Sequence, residues 1–268
     1  MKAIKFVLLT LCGLLGVLYL SIIVYVYCNQ DSMIFQSQKL QQDYKFNYLN
    51  PFEEINTKVA DDVFLNGLLF KANNPKGLVF YLHGNAGTLE TWGNFAEEYT
   101  RLGYDIFILD YRGFGKSGGS IDNEAQFYND INTVYKTMLN KYDESKVIIV
   151  GYSIGTGGAA YLASKNKPKA LILQAPYYNF SELSDTRVPF IPEFIKKYKF
   201  ETNTFITKIK CPIYIFHGDK DQVIVYENSV RLAKLLKKGD HFFTLKNQDH
   251  LNMNNNGVYL SELKNILH

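Results

Sequence analysis

The residues best suited to chemistry in this sequence form a short motif, Gly151-Tyr152-Ser153-Ile154-Gly155, directly after the apolar run KVIIV. A serine at the centre of G-x-S-x-G sits on a strained turn between a strand and a helix, which exposes its Oγ for nucleophilic attack. The glycines leave space where a Cβ would collide with neighbouring elements. Small residues follow at 156–160. They favour a helix start, whose free N–H groups can stabilise a developing oxyanion.

A serine nucleophile of this kind needs an acid and a base, which follow it in that order along the chain. Two carboxylates, Asp219 and Asp221, come just after the run IYIF. The pattern leaves the choice between them open. His250 alone among the histidines follows the last predicted strand, so it is the predicted base. The competing histidines precede glycine, begin a strand or end the chain: His83, His217, His241 and His268.

The elements that must position these residues alternate between strand and helix. The predicted strands are short, apolar and not alternating, as in a parallel sheet buried on both faces: 77–83, 105–110, 146–150, 170–173, 213–216 and 241–245. The predicted helices lie between them: 89–102, 123–141, 154–165 and 226–237. This alternation predicts an α/β fold with one mostly parallel, doubly wound sheet, and residues 64–70 suit an antiparallel edge hairpin. Sites in such sheets form at the carboxyl ends of the strands, where Ser153, the two candidate carboxylates and His250 stand.

With these motifs assembled, the chain resembles the α/β-hydrolase superfamily, and within it the Bem46-like or α/β-hydrolase-domain-containing serine hydrolases. The resemblance covers about residues 60–268. It rests on HGNAG at 83–87, DYRGFGKSG at 110–118, the serine motif, HGDKD at 217–221 and His250. One residue departs from the pattern, because the family often has glycine where this chain has Asp249.

The resemblance implies a role for each matching residue. Ser153 matches the nucleophile, His250 the base and Asp221, rather than Asp219, the acid. The backbone N–H groups of Asn85 and Ile154 match the oxyanion hole. Arg112 and Asp110 match groups that brace neighbouring loops: no proton transfer is expected of them. Neither the motifs nor the resemblance predicts a cofactor or a metal.

The implied activity is hydrolysis of an ester or thioester through an acyl-enzyme, without a cofactor. A serine peptidase of the aminopeptidase kind on the same fold is the alternative, and a non-catalytic binding protein is a weaker one. Dehalogenases and epoxide hydrolases of this fold use an aspartate nucleophile, which Ser153 excludes.

A short cap is expected at about 177–210. It is rich in aromatic residues, which favour an apolar acyl group over a free amine or else form the core of the cap: Tyr177, Tyr178, Phe180, Phe190, Phe194, Tyr198, Phe200 and Phe205. Its lysines, Lys196, Lys197 and Lys199, are candidates for contact with anionic lipid headgroups. The predicted substrate is therefore a small-molecule acyl ester or a lipid-like compound.

The N-terminal segment predicts a membrane anchor. Residues 6–27 contain no charge and no proline, and as a helix they would span roughly 33 Å at about 1.5 Å per residue. Lys2 and Lys5 precede this run, which predicts a cytoplasmic N-terminus and an extracytoplasmic catalytic domain. A cleaved signal peptide and a buried soluble helix are the alternatives. The predicted domains are an anchor at 1–28, a linker and edge region at 29–58, and a catalytic domain at 59–268.

Composition excludes some other classes. The 268-residue chain has a formal net charge of +3, which does not predict nucleic-acid binding. The cysteines, Cys12, Cys28 and Cys211, have neither zinc-site nor disulfide spacing. They are interpreted as apolar residues, with a lipid-modified Cys12 as the alternative. Because every motif lies beyond the anchor, the sequence predicts that a chain without residues 1–28 is soluble and active.

Overall fold

The computed structural model describes all residues from Met1 to His268. Ten strands are present: β1 (Gln36–Ser37), β2 (Phe52–Ala60), β3 (Val63–Phe70), β4 (Gly77–Leu82), β5 (Ala86–Gly87), β6 (Tyr104–Leu109), β7 (Val147–Tyr152), β8 (Ala170–Gln174), β9 (Ile213–Gly218) and β10 (His241–Leu245). Nine α-helices accompany them: α1 (Lys2–Ile34), α2 (Leu89–Trp92), α3 (Ala96–Thr100), α4 (Glu124–Leu139), α5 (Gly155–Lys165), α6 (Phe180–Asp185), α7 (Thr202–Ile206), α8 (Glu227–Ala233) and α9 (Gly257–Ile266).

Eight of the strands form one sheet in the order β10-β9-β8-β7-β4-β6-β3-β2. The strands from β4 to β10 pair in parallel, whereas β2 and β3 form an antiparallel hairpin at one edge. The predicted mostly parallel α/β sheet, with its antiparallel edge, is therefore what the structure has. β1 and β5 form a separate two-residue parallel pair.

Burial on both faces explains why the central strands read as unbroken apolar runs. Every residue of β4, β6 and β7 is buried. One hydrophobic cluster packs α4 and α5 against one face of the sheet, and a second packs α3 and α9 against the other. Alternating polar residues would face a helix layer on either side, so these strands are apolar apart from the buried Asp105, whose carboxylate accepts a hydrogen bond from the N–H of Ala72.

Two predicted boundaries differ in the structure. The helix predicted at 89–102 is broken by a 3₁₀ turn at Gly93–Phe95, between α2 and α3. Gly93 permits the break to pack tightly, because a Cβ there would lie 2.5 Å from the ring of Tyr48. The edge strand β2 also runs across the predicted boundary between residues 58 and 59, so the sheet begins at Phe52.

The N-terminal helix α1 is 33 residues long and ends at Ile34, beyond the predicted anchor end at residue 28. It is long and apolar enough to cross a membrane, which is consistent with membrane anchoring. Most of its side chains are exposed to the surroundings, but Val26 and Gln30 are buried against the rest of the protein. The next residue after the helix, Phe35, is 5% exposed and belongs to the hydrophobic core.

Candidate active site

The serine motif forms a tight turn between β7 and α5. Ser153 has φ of +53°, in the left-handed region that non-glycine residues rarely occupy. The flanking glycines allow the turn to pack closely. A Cβ on Gly155 would lie 2.2 Å from the carbonyl oxygen of Leu82, and one on Gly151 would lie 2.7 Å from the carbonyl oxygen of Gly155. The strain at Ser153 is thus held in place by the contact of α5 with β4.

The three residues predicted to act together meet at the carboxyl edge of the sheet. Ser153 Oγ lies 3.0 Å from His250 Nε2, and His250 Nδ1 lies 2.7 Å from Asp221 Oδ2. Ser153 follows β7, Asp221 follows β9 and His250 follows β10. All three are mostly buried, with Ser153 7% and His250 8% exposed. A hydroxyl, an imidazole and a carboxylate in this sequence of contacts can activate the hydroxyl as a nucleophile.

Asp221 is held ionised and in a fixed orientation. Its Oδ1 accepts hydrogen bonds from the backbone N–H groups of Val223 and Ile224, at 2.8 and 2.9 Å. Burial acts to raise the pKa of Asp221, but hydrogen bonds from His217, His250 and the Ile224 N–H hold that pKa well below its ordinary value. The charge therefore remains available to stabilise an imidazolium at His250.

Asp219, the competing carboxylate, faces a different group. Its Oδ1 accepts a hydrogen bond from the backbone N–H of Asn247 at 2.7 Å, which links the loop after β9 to the loop after β10. No contact joins it to His250. The geometry thus gives Asp219 a loop-supporting contact and gives Asp221 the contact with the imidazole.

His217 is a supporting residue whose role the sequence left unassigned. Its Nε2 lies 2.8 Å from the carbonyl oxygen of Ile224 and 3.2 Å from Asp221 Oδ2, and its Nδ1 lies 2.6 Å from the hydroxyl of Ser229. An Nε2–H tautomer that accepts from Ser229 satisfies all of these groups. His217 therefore fixes the carboxylate that in turn contacts His250.

Tyr152 is a second residue that the sequence did not single out. Its hydroxyl donates a hydrogen bond to the backbone carbonyl of His250. Tyr152, which directly precedes the predicted nucleophile, thus holds in place the loop that carries the predicted base. Only a knowledge of which loop lies above β7 would have revealed this contact.

We expect Tyr152→Phe to destabilise the protein by about 1–3 kcal/mol, because it leaves a buried carbonyl without its donor. The thermal midpoint of unfolding of the full chain in detergent measures this effect. Tyr161→Phe on α5 is a matched control, since that hydroxyl makes no hydrogen bond in the structure. Equal midpoints for the two variants would show that the contact to His250 contributes nothing.

The two backbone N–H groups implied as an oxyanion hole lie beside Ser153. Neither the N–H of Asn85 nor that of Ile154 donates a hydrogen bond within the protein, and both residues line the same cavity as Ser153. Residues at the end of α1 and in β1 hold the loop that contains Asn85. Gln36 N donates to the Asn85 carbonyl at 2.9 Å, and Asn85 Nδ2 donates to the Ile34 carbonyl at 3.3 Å.

Asp110 and Arg112 brace loops, as the resemblance implies. The buried Asp110 carboxylate accepts from the backbone N–H of Leu89, and His83 Nε2 lies 3.2 Å from its Oδ1. Burial is the main cause that raises the pKa of Asp110. Arg112 makes a two-point contact with Asp130, at 2.5 and 3.0 Å.

The loop before His250 accommodates Asp249, at the position where the family often has glycine. The side chain of Asp249 accepts a hydrogen bond from the backbone N–H of Leu251 at 3.0 Å and so closes a local turn.

A cavity of about 470 Å³ opens beside Ser153, and 12 of its 19 lining residues are hydrophobic. This volume lies within the range of small-molecule sites. The cap supplies part of the wall through Tyr177, Phe180 and Tyr198. Phe200 is instead fully buried in the core, so some cap aromatics line the cavity and others form the core of the protein.

The cap lysines do not offer free positive charges, contrary to the expected headgroup contact. Lys196 is paired with Asp185 at 2.7 Å and Glu193 at 3.0 Å. Lys197 is paired with Asp31 at 3.1 Å, and Lys199 lies 3.5 Å from Glu193. Nearby carboxylates neutralise these ammonium groups, so the expectation is wrong for the arrangement in the structure.

Comparison with known sequences finds related hydrolases. The family described as serine aminopeptidase, S33, matches residues 73–202. The α/β-hydrolase domain-containing protein 17B of Homo sapiens is 30% identical over 200 residues, which cover 72% of this chain and 67% of that protein. The lysophosphatidylserine lipase ABHD12 of Danio rerio is 28% identical over 235 residues, which cover 75% of this chain and 60% of that protein.

Comparison with solved structures finds the α/β-hydrolase fold. An esterase of Pyrococcus furiosus superposes with a TM-score of 0.68 at 17% identity, covering 87% of this chain and 97% of the esterase. An α/β-hydrolase of Vibrio vulnificus superposes with a TM-score of 0.66 at 21% identity, covering 80% of this chain and 81% of the other.

Proposed function

The chain belongs to the family of α/β-hydrolase domain-containing serine hydrolases, and from this premise we propose that it is a membrane-anchored serine hydrolase that cleaves an apolar acyl ester or thioester. The observation that carries the proposal is the chain of contacts from Ser153 Oγ through His250 to Asp221, at 3.0 and 2.7 Å.

The proposed mechanism proceeds through an acyl-enzyme. Ser153 Oγ attacks the carbonyl carbon while His250 Nε2 takes the hydroxyl proton, and Asp221 stabilises the imidazolium. The N–H groups of Asn85 and Ile154 receive the oxyanion. The imidazolium then protonates the leaving alcohol or thiol as the acyl bond breaks. Water, deprotonated by His250, attacks the acyl carbon, and the resulting imidazolium returns the proton to Ser153 Oγ as the acyl–oxygen bond breaks and the carboxylic acid leaves.

The lining of the cavity supports an apolar acyl group. Its walls are mostly hydrophobic, and its charged residues are the cations Arg187 and Lys196. The name of a relative, a lysophosphatidylserine lipase, agrees with a lipid-like substrate. An aliphatic chain in such a cavity would gain about 0.8 kcal/mol for each methylene removed from water.

An aminopeptidase is the second candidate, because the family matched at residues 73–202 is described by that activity. A free substrate amine needs a carboxylate partner when it leaves water. No aspartate or glutamate lines the cavity beside Ser153. The absence of a carboxylate from the cavity lining supports an acyl hydrolase over an aminopeptidase.

The proposed location is a membrane, with α1 as a retained single-pass anchor. The packing of Val26 and Gln30 against the protein supports retention over removal of the segment as a signal peptide. Lys2 and Lys5 before the apolar run support a cytoplasmic N-terminus and an extracytoplasmic catalytic domain.

The dependence of kcat/KM on acyl-chain length tests the substrate class. For the full chain in detergent micelles with p-nitrophenyl esters from acetate to octanoate, we expect a rise of nearly fourfold per carbon, from about 0.8 kcal/mol per buried methylene, until the cavity is full. A flat or falling series would reject an apolar acyl substrate. Amino-acid p-nitroanilides, which carry a free amine, then test the peptidase.

A further inference from the structure

The cavity beside Ser153 has a wall that does not come from the catalytic domain. Four residues of α1 line it: Val26, Gln30, Met33 and Ile34. Their spacing of three or four residues places them on one face of the helix. The helix that is apolar enough to cross a membrane is therefore also part of the cavity lined by the predicted nucleophile.

This wall begins at the oxyanion loop and leads away from it. The Ile34 carbonyl accepts a hydrogen bond from Asn85, so the end of α1 lies beside one predicted oxyanion donor. Val26 is eight residues earlier, about 12 Å along the helix axis. A long substrate chain can thus run along α1 from Ser153 towards Val26, which is 7% exposed.

Polar contacts fix this part of α1 to the cap. The side-chain amide of Gln30 donates to the Ile195 carbonyl at 2.8 Å and accepts from the Lys197 N–H at 2.9 Å. Asp31 accepts from the hydroxyl of Tyr198 at 2.5 Å. Because these partners all lie within residues 195–198, they hold the last turns of α1 against this one segment of the cap.

With α1 as the proposed anchor, the far end of the wall would lie at the level of the membrane. Tyr19, within the predicted span, donates a hydrogen bond from its hydroxyl to the Phe190 carbonyl at 2.9 Å. Tyr19 lies eight residues, about 12 Å, before the end of that span at Tyr27. The cap residues here are exposed and aromatic, with Phe190 84% and Phe194 87% exposed. Such side chains are stabilised by hydrocarbon rather than by water.

Resting on the proposed hydrolase function, we propose that α1 forms one wall of the acyl-binding pocket, and that Val26 sets the length of acyl chain accepted from the bilayer. The anchor is then a substrate-binding element as well as a tether. Acetyl groups are too short to reach Val26, whereas dodecanoyl groups are long enough to extend along α1 to it.

The test is the ratio of kcat/KM for the dodecanoate and acetate p-nitrophenyl esters, measured on the full chain in detergent micelles. Val26→Trp should lower this ratio roughly tenfold, the loss expected when about two methylenes no longer fit. Val24→Trp is the matched control. It places the same side chain on the same helix at a position that is 61% exposed, so the ratio should not change.

The opposite substitution keeps the test decisive if the tryptophan variant fails to fold. Val26→Ala enlarges the pocket and should move the preferred acyl chain to a longer length. Unchanged chain-length profiles for a folded Val26→Trp or for Val26→Ala, or an equal loss with Val24→Trp, would overturn the proposed wall. A wild-type chain that turns over neither ester would instead remove the proposed hydrolase function, and this inference with it.

Discussion

Ser153→Ala is expected to abolish covalent labelling by a fluorophosphonate probe and to reduce ester turnover by about a millionfold, to the background of the assay. The reason is chemical, since the variant removes the only hydroxyl that contacts His250 Nε2. Alanine also fits the site sterically, because it is smaller than serine. Labelling is read on a gel with the full chain in detergent, and turnover is read with an acetate ester.

A control on the same helix separates loss of the nucleophile from loss of structure. Ser164 lies on α5, and its hydroxyl donates to the Tyr161 carbonyl at 2.7 Å, away from the cavity. Ser164→Ala should keep full labelling and turnover. Labelling that persists in Ser153→Ala would place the reactive nucleophile elsewhere and defeat the assignment.

Asp221→Asn is expected to reduce kcat by about 10⁴-fold while leaving the fold intact. An asparagine oxygen can still accept the N–H groups of Val223 and Ile224, so the local turn is retained. Its neutral amide, however, neither stabilises the imidazolium nor favours the Nδ1–H tautomer of His250. Steady-state kinetics with a short ester measure the effect, and circular dichroism checks the fold.

The neighbouring carboxylate provides the comparison. Asp219→Asn should change kcat only mildly, because Asp219 contacts Asn247 and not His250. A larger loss in Asp219→Asn than in Asp221→Asn would reverse the assignment. Combining Ser153→Ala with Asp221→Asn should cost little more than Ser153→Ala alone, since residues that act as one unit are not additive.

The sequence determined most of the sheet and its candidate site. Residues 241–245 and 170–173 were predicted as strands within a residue of their observed ends. A short apolar run bounded by turn residues indicates a buried strand from its local composition alone. The sequence also singled out Ser153, His250 and the pair of carboxylates, since each follows a strand and parallel strands share one carboxyl edge. It did not separate Asp219 from Asp221 without the family resemblance.

Only the tertiary structure decided which groups surround those residues. The contact of Tyr152 with His250 joins two segments that are 98 residues apart in the chain. Likewise, Lys197 is interpreted as a free cation until the fold places Asp31, on the distant helix α1, beside it. No local pattern encodes such pairs, because each depends on where two separate segments end.

The N-terminal helix α1 has features that its sequence determines and contacts that only the tertiary structure decides. Its length and apolar composition mark a membrane span, because a bilayer imposes a length that any such helix must match. The sequence alone predicted an anchor removable at residue 28 without loss of activity. The structure places Val26 in the wall of the cavity, so removal of residues 1–28 would take this side chain out of the wall. Composition determines whether a helix suits a membrane, but which of its faces touches protein depends on the complementary surface that the folded domain presents.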